Sequence, residues 1–331
     1  MTQILPSRTA EERVKAVNSA ISFLRRGDPV ALPTETVYGL AADALDAIAV
    51  AKIFEAKERP RFDPLIVHLP DRGWLERIAQ IRPGDSKVTS KLIDRFWPGP
   101  LTLVLQRQSI IPDIVTAGLE TVAVRLSAHP LFTEIIREFG GPLAAPSANR
   151  FGRISPTAAE HVHDELRDRI PLVIDGGPTE HGLESTIVAI RDDRIELLRR
   201  GPIHAEQLSE FGNVVVATQN ATRPRAPGQL PAHYAPLTPL LIVDDVASFA
   251  APKQKRCGLL AWSSGGESAQ FATVRTLTSN KDLREAAANL FRCLRELDHE
   301  NLDLIVAEKI PEDGLGCAIM DRLRRAAFPV P

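Results

Sequence analysis

Cysteine is scarce in this 331-residue chain: Cys257, Cys293 and Cys317 are the full set, and no Cys-x-x-Cys pair occurs. An odd, scattered set builds neither a disulfide framework nor a four-ligand zinc site. It fits a reducing compartment, so a cytoplasmic location is expected. A surplus of one charge is missing too: 40 Lys and Arg stand against 42 Asp and Glu, a formal net charge of −2. A large nucleic-acid surface normally needs a clear basic excess, so none is expected, although a local basic cleft stays possible. There is no uncharged apolar run of 18 residues, hence no expected membrane span. Met1 to Arg8 has no apolar core, so no signal peptide is expected either. Gly-x-x-x-x-Gly-Lys-[Ser/Thr] and Gly-x-Gly-x-x-Gly are both absent. A bound nucleotide would therefore take its phosphate contacts from elsewhere. Internal repeats and low-complexity tracts are lacking as well.

What is present is alternation of strand and helix patterns in a chain of ordinary globular composition, 44% apolar and 25% charged. Its length makes two domains the prior. Thr9 and Glu12 form a capping-box pattern ahead of the stripe Val14, Val17, Ile21, Leu24, which Gly27 stops. Strand-like runs follow at 30–32, 65–69, 101–105, 122–126, 172–174, 186–190 and 195–198. Helical patterns lie between them at 46–56, 86–96 and 157–167. This mixture predicts a twisted, mixed α/β sheet. The stretch 218–239 then carries five prolines and no acid, the composition of a semi-rigid extended spacer. Beyond it, strand patterns at 240–243, 258–262 and 302–307 alternate with helical patterns at 282–297 and 315–326, suggesting a smaller Rossmann-like unit. The expected division is a catalytic domain over 1–212, a Pro-rich linker over 213–238, and a C-terminal domain over 239–331.

The polar residues at strand ends carry the chemistry. Pro33 to Leu40 reads Pro-Thr-Glu-Thr-Val-Tyr-Gly-Leu, a turn with two hydroxyls, a carboxylate and a phenol. A helix after it delivers Lys57 and Arg59 beside a short apolar strand ending in His68. Such a grouping in an open α/β sheet makes an anion-binding cleft. Each residue also has a plainer reading. Lys57 and Arg59 could be solvated cations complementing a helix dipole. Thr34, Glu35 and Thr36 could close a turn, and His68 could be a satisfied histidine at a strand end. Ser155-Pro156 reads as a helix N-cap with Pro at the first position, in competition with phosphate binding there. Thr121 and Arg125, four apart on a strand, share a face. Ser185 opens a strand after a glycine-bearing loop. His161 and His163, two apart on a helix, do not face one metal.

Pro33–Leu40, Lys57-Glu58-Arg59-Pro60, Pro64–His68, Ala145–Asn149, Pro227–Pro236 and Gly314–Met320 together resemble the threonylcarbamoyl-AMP synthases, with their YrdC-like catalytic core and C-terminal domain. The resemblance covers nearly the whole chain. It implies that L-threonine, bicarbonate and ATP give threonylcarbamoyl-AMP and pyrophosphate. The product would feed the machinery that threonylcarbamoylates the tRNA adenosine 3′ of the anticodon. The resemblance assigns Lys57 and Arg59 to catalysis. Thr36, His68, Arg125, Ala145 and Ser185 go to threonine. Arg59, Asp63, Thr121, Ser147, Asn149, Ser155, Arg199 and Tyr234 go to the nucleotide, with Mg²⁺ accompanying ATP and no protein metal site. Asp63 stands where the family often has Asn. Two rivals remain: a carbamoyl-transferring domain of the hydrogenase-maturation type, which carries cysteine-rich zinc modules, and a non-enzymatic RNA-binding factor.

Overall fold

The computed structural model describes residues 1–192, 194–217, 224–230, 233–252, 254–263 and 269–328. Twelve strands build one large sheet: β1 (Gln3–Pro6), β2 (Val30–Leu32), β3 (Gly39–Asp43), β4 (Ile66–His68), β5 (Ala79–Gln80), β6 (Leu101–Arg107), β7 (Thr121–Arg125), β8 (Leu143–Ala144), β9 (Leu172–Asp175), β10 (Thr186–Arg191), β11 (Arg194–Arg199) and β12 (Asn213–Val216). Their order is β1-β9-β2-β3-β8-β4-β7-β6-β10-β11-β12, with β5 paired to β6. The sheet is mixed: β4 runs parallel to β7, which is antiparallel to β6. Helices α1 (Ala10–Arg25), α2 (Ala47–Lys57), α3 (Leu75–Ile78), α4 (Ser86–Phe96), α5 (Asp113–Thr116), α6 (Pro130–Phe139), α7 (Ala159–Leu166) and α8 (Ala205–Ser209) complete this unit. The second unit is a wholly parallel sheet of order β13-β16-β14-β15, formed by β13 (Leu240–Val243), β14 (Cys257–Ser263), β15 (Thr273–Thr278) and β16 (Leu304–Glu308). Helices α9 (Leu283–Asp298) and α10 (Gly316–Ala326) pack with it.

Local signals account for the helices. The capping box of α1 forms as its sequence indicates, with the Thr9 hydroxyl accepting from the Glu12 N–H and the Glu12 carboxylate accepting from the Thr9 N–H. The end of α2 bears directly on function. Glu58 adopts the left-handed conformation at φ 53°, the Glu58 N–H donates to Glu55 and the Arg59 N–H to Phe54. These are the two bonds of a Schellman stop, and Pro60 prevents further helix. Arg59 thus lies beyond α2, not within it.

The structure corrects several boundaries. Asn213–Val216 pairs with β11 in the large sheet, so the spacer starts later than residue 213. The turn after Leu32 runs straight into β3, a strand that the mixed glycine and alanine pattern hid. Ala158, not Ser155, is the N-cap of α7. Within the spacer, Arg223 and Pro231 lie outside the described residues.

The two units share a continuous apolar cluster. Val37, Ile154, Leu183 and Tyr234 pack with Leu290, Phe291, Leu294 and Leu323 of the smaller unit. Gly182 (φ 67°) makes this approach possible, since a Cβ there would sit 2.4 Å from the Ala287 carbonyl oxygen.

Candidate active site

A tight cleft with about 40 Å³ of free volume opens over the middle of the large sheet. Five segments reach it: the Thr34–Gly39 turn, the ends of β4 and β7, the Ala145–Ser147 loop, the Glu184–Ser185 approach to β10, and the end of β11. Pro227, Gly228, His233 and Tyr234 of the spacer form its remaining wall. Gly228 (φ 78°) lets the spacer close in, because a Cβ there would lie 2.9 Å from the Tyr234 Oη.

Backbone bonds lock the Thr34–Gly39 turn and the Ala145–Ser147 loop together. The Leu40 N–H donates to Pro146 and the Ala148 N–H to Tyr38, each at 2.8 Å. Tyr38 is fully buried and donates its hydroxyl to the Gly177 carbonyl at 2.7 Å, so it is a core aromatic that pins the neighbouring loop. Lys57 stands one layer behind the cleft. Its ammonium donates to the Ser147 carbonyl at 2.5 Å and to the Asn149 carbonyl, tying the loop to the helix end. Burial, reinforced by the nearby Arg59 charge and only partly offset by Asp63 and Glu165, drives the Lys57 ammonium well below its usual range.

Arg59 does line the cleft. Its Nη2 lies 2.8 Å from Asp63 Oδ2 and 2.9 Å from the Pro64 carbonyl. Asp63 therefore faces Arg59 and is fully buried, and burial outweighs the arginine and lifts the Asp63 carboxyl above its usual value. On the opposite wall Arg125 Nη2 is 2.7 Å from Glu35 Oε1, and Arg125 Nη1 donates to Thr36 Oγ1 at 2.9 Å. Burial alone would raise the Glu35 carboxyl, but the Arg125 charge and a hydrogen bond from Ser127 bring it down to about 2. His68 packs 4.8 Å from the Phe132 ring, and its Nδ1 is buried without a partner. Burial lowers His68 to about 3, so the imidazole is neutral at physiological pH.

Arg199 differs from the other two arginines. Nε and Nη2 donate to the Ser185 carbonyl and hydroxyl, both at 3.0 Å, and Nη1 to the Pro227 carbonyl at 3.4 Å. Among the described residues none of these partners is a carboxylate. Burial lowers Arg199 only to about 10, so it stays charged. Ser185 Oγ also shares a hydrogen bond with Thr102 at 2.7 Å. The neighbouring Arg200 does not line this cleft; its carbonyl accepts from Arg322.

Of the residues singled out in the sequence, Thr36, Arg59, His68, Arg125, Ala145, Ser147, Ser185, Arg199 and Tyr234 line the cleft. Lys57, Asp63, Asn149 and Ser155 stand behind it, each bonded to the wall or to its support. Asn149 Nδ2 donates to the Arg150 and Arg153 carbonyls, while Ser155 donates to Glu184. Thr121 is elsewhere. It begins β7 and Arg125 ends it, about 13 Å apart at roughly 3.3 Å per residue. It borders a separate groove with Gln106, Arg191 and Arg225. A shared strand face did not imply a shared site. The sequence reading missed Glu184 and Arg322. Arg322 carried a signal, since it lies on the buried face of α10 with Ile319, Leu323 and Ala326.

An open mixed sheet with an arginine-lined cleft at its centre defines an α/β protein with a candidate small-ligand site. Residues 22–201 match a family model described as telomere recombination, and residues 203–328 match the threonylcarbamoyl-AMP synthase C-terminal domain. The chain is 39% identical to the threonylcarbamoyl-AMP synthase of Pyrococcus abyssi, across 99% of this chain and 98% of that one. It is 42% identical to that of Bacillus subtilis, across 94% and 92%. A crystal structure of P. abyssi Sua5 complexed with L-threonine superimposes with a TM-score of 0.89 over 98% of both chains, at 39% identity. A putative threonylcarbamoyl-AMP synthase of Mycobacterium tuberculosis, 36% identical, is matched over 99% of its own length but only 66% of this chain. The chain belongs to the threonylcarbamoyl-AMP synthase family.

Proposed function

We propose that this chain makes threonylcarbamoyl-AMP and pyrophosphate from L-threonine, bicarbonate and ATP. The observation that carries the reading is Arg199: a buried, charged guanidinium at the cleft, held by neutral oxygens alone. A buried cation with no carboxylate in hydrogen-bonding contact among the described residues, and with Glu184 acting on it at longer range, favours an anionic ligand. Arg59 lines the same cleft.

In this reading the threonine amine condenses with bicarbonate, releasing water and leaving a carbamate. A carbamate oxygen then attacks the α-phosphorus of ATP, and pyrophosphate leaves. No residue needs to form a covalent bond; the protein positions reactants and offsets charge. Arg59 and Arg199 neutralise phosphate, and Lys57 keeps the Ser147–Asn149 loop in place. Thr36, His68, Arg125, Ala145 and Ser185 surround threonine, with the neutral His68 ring available as a hydrogen-bonding partner. Mg²⁺ enters with ATP, held by phosphate and water. Among the described residues no group of three or more His, Cys, Asp or Glu is arranged to hold a metal. The spacer acts as a lid: Tyr234, whose hydroxyl is buried without a partner, meets the nucleotide and shuts water away from the mixed anhydride. The product passes to the tRNA-modifying machinery of the cytoplasm. No helix among the described residues is long and apolar enough to cross a membrane. Mass spectrometry of the reaction provides the test. A product joining threonine, carbon dioxide and AMP should form only when all three substrates are supplied, and AMP release indifferent to threonine would contradict the reading.

A further inference from the structure

Arg322 is a fully buried side chain that projects from α10 of the smaller unit into the back of the cleft. Its Nε lies 2.9 Å from Glu184 Oε2, its Nη2 donates to the Arg200 carbonyl at 2.8 Å, and its Nη1 pairs with Asp321 at 2.7 Å. The guanidinium carbon stands 4.9 Å from the centre of the Tyr234 ring. Two parts of the cleft wall, the carboxylate before Ser185 and the spacer tyrosine, thus meet on one side chain from another domain, which also holds the backbone just beyond Arg199.

Glu184 makes this arrangement necessary. It is a buried carboxylate at the wall of a cleft proposed to hold a triphosphate, where its charge opposes binding. Two cations act on it, Arg322 and Arg199. Arg199 already binds the adjacent Ser185 and, among the described residues, makes no hydrogen bond to a carboxylate. We infer that Arg322 is a positioning residue for nucleotide binding: by occupying Glu184 from behind, it keeps Arg199 free for the phosphates of ATP. This inference rests on the proposed function and assigns the smaller domain a task in that same site.

When Arg322 is removed, Glu184 is expected to turn to Arg199 and cancel its charge. Without Glu184, the removal of Arg322 should matter little. The experiment is calorimetric titration of ATP into the full chain and into Arg322→Met, Arg322→Met/Glu184→Gln, Arg199→Met and Arg199→Met/Arg322→Met, with melting curves for each. Arg322→Met should bind ATP at least tenfold more weakly. The Glu184→Gln double variant, which leaves no uncompensated buried carboxylate at this position, should return to within about threefold of wild type. Adding Arg322→Met to Arg199→Met should cost nothing further, because Arg322 acts through Arg199. Should Arg322→Met fail to fold, the Glu184→Gln double variant decides alone. Wild-type ATP affinity in Arg322→Met, weak binding in a folded Glu184→Gln double variant, or additive losses with Arg199→Met would overturn the inference. ATP binding by the wild type without threonine-dependent product would sink the proposed function and leave the Arg322 comparison readable.

Discussion

Arg59→Met separates the structural and chemical tasks of one arginine. The Arg59–Asp63 pair is 2.8 Å apart, with side chains 4% and 0% exposed. Removing one member of such a pair costs about 3–5 kcal/mol, because the survivor is left charged or must neutralise. Asp63 is already lifted toward protonation by burial, so the cost belongs at the lower end, about 3 kcal/mol. At roughly 2–4 °C per kcal/mol, the melting temperature should drop by about 6–12 °C. Arg59→Met/Asp63→Leu removes both charges and should regain most of that stability. Turnover should not return. A charge-assisted contact to phosphate is worth up to about 3 kcal/mol, so the double variant should remain roughly a hundredfold slow. Circular-dichroism melts and pyrophosphate release, measured on the same preparations, give both numbers. A stable double variant with wild-type turnover would refute the reasoning, because Arg59 would then serve only to neutralise Asp63.

Acid should destabilise the protein in two stages. His68 falls from 6.5 to about 3 on folding, so stability declines as pH drops below 6.5; Glu35 falls from 4.5 to about 2, adding a further loss below 4.5. Between pH 6 and 4, His68→Gln should reduce the slope of stability against pH by roughly 1.4 kcal/mol per unit, one proton's worth; an unchanged slope would show that His68 is not buried as a neutral ring. Ser185→Ala and His68→Ala should raise the threonine KM much more than the ATP KM, whereas equal effects would mean the sub-sites are misassigned. Proteolysis at Arg225, where a bidentate pair with Glu196 already holds the spacer, should slow with ATP and threonine bound. Unchanged cleavage together with normal activity of Tyr234→Ala would reduce the segment to a tether.

The fold was legible where apolar runs were long. The strand pattern at 240–243 and the helical pattern at 86–96 match β13 and α4 residue for residue. It was hidden where pairing is short or small residues prevail. β8 has two residues, and β3 reads Gly-Leu-Ala-Ala-Asp, so neither shows an alternation of its own. At the site, Lys57-Glu58-Arg59-Pro60 pointed correctly to a helix end, because a Schellman stop is written in local sequence. The division between Arg59 at the cleft and Lys57 behind it was not legible, since it depends on where carbonyls 90 and 92 residues away fall. Thr121 shows the converse: strand alternation fixes a face but not a position along it. Ser155 looked like a cap because Pro follows it, yet its hydroxyl goes to Glu184. Arg322 could be suspected from a cation on an apolar helix face, but its partner Glu184 lies 138 residues earlier.

Pyrophosphate release from ATP, measured with threonine and bicarbonate each withheld in turn, tests the central claim most directly. The account predicts release only when both are present, with serine or no amino acid giving far less. Equal release without any amino acid would contradict it.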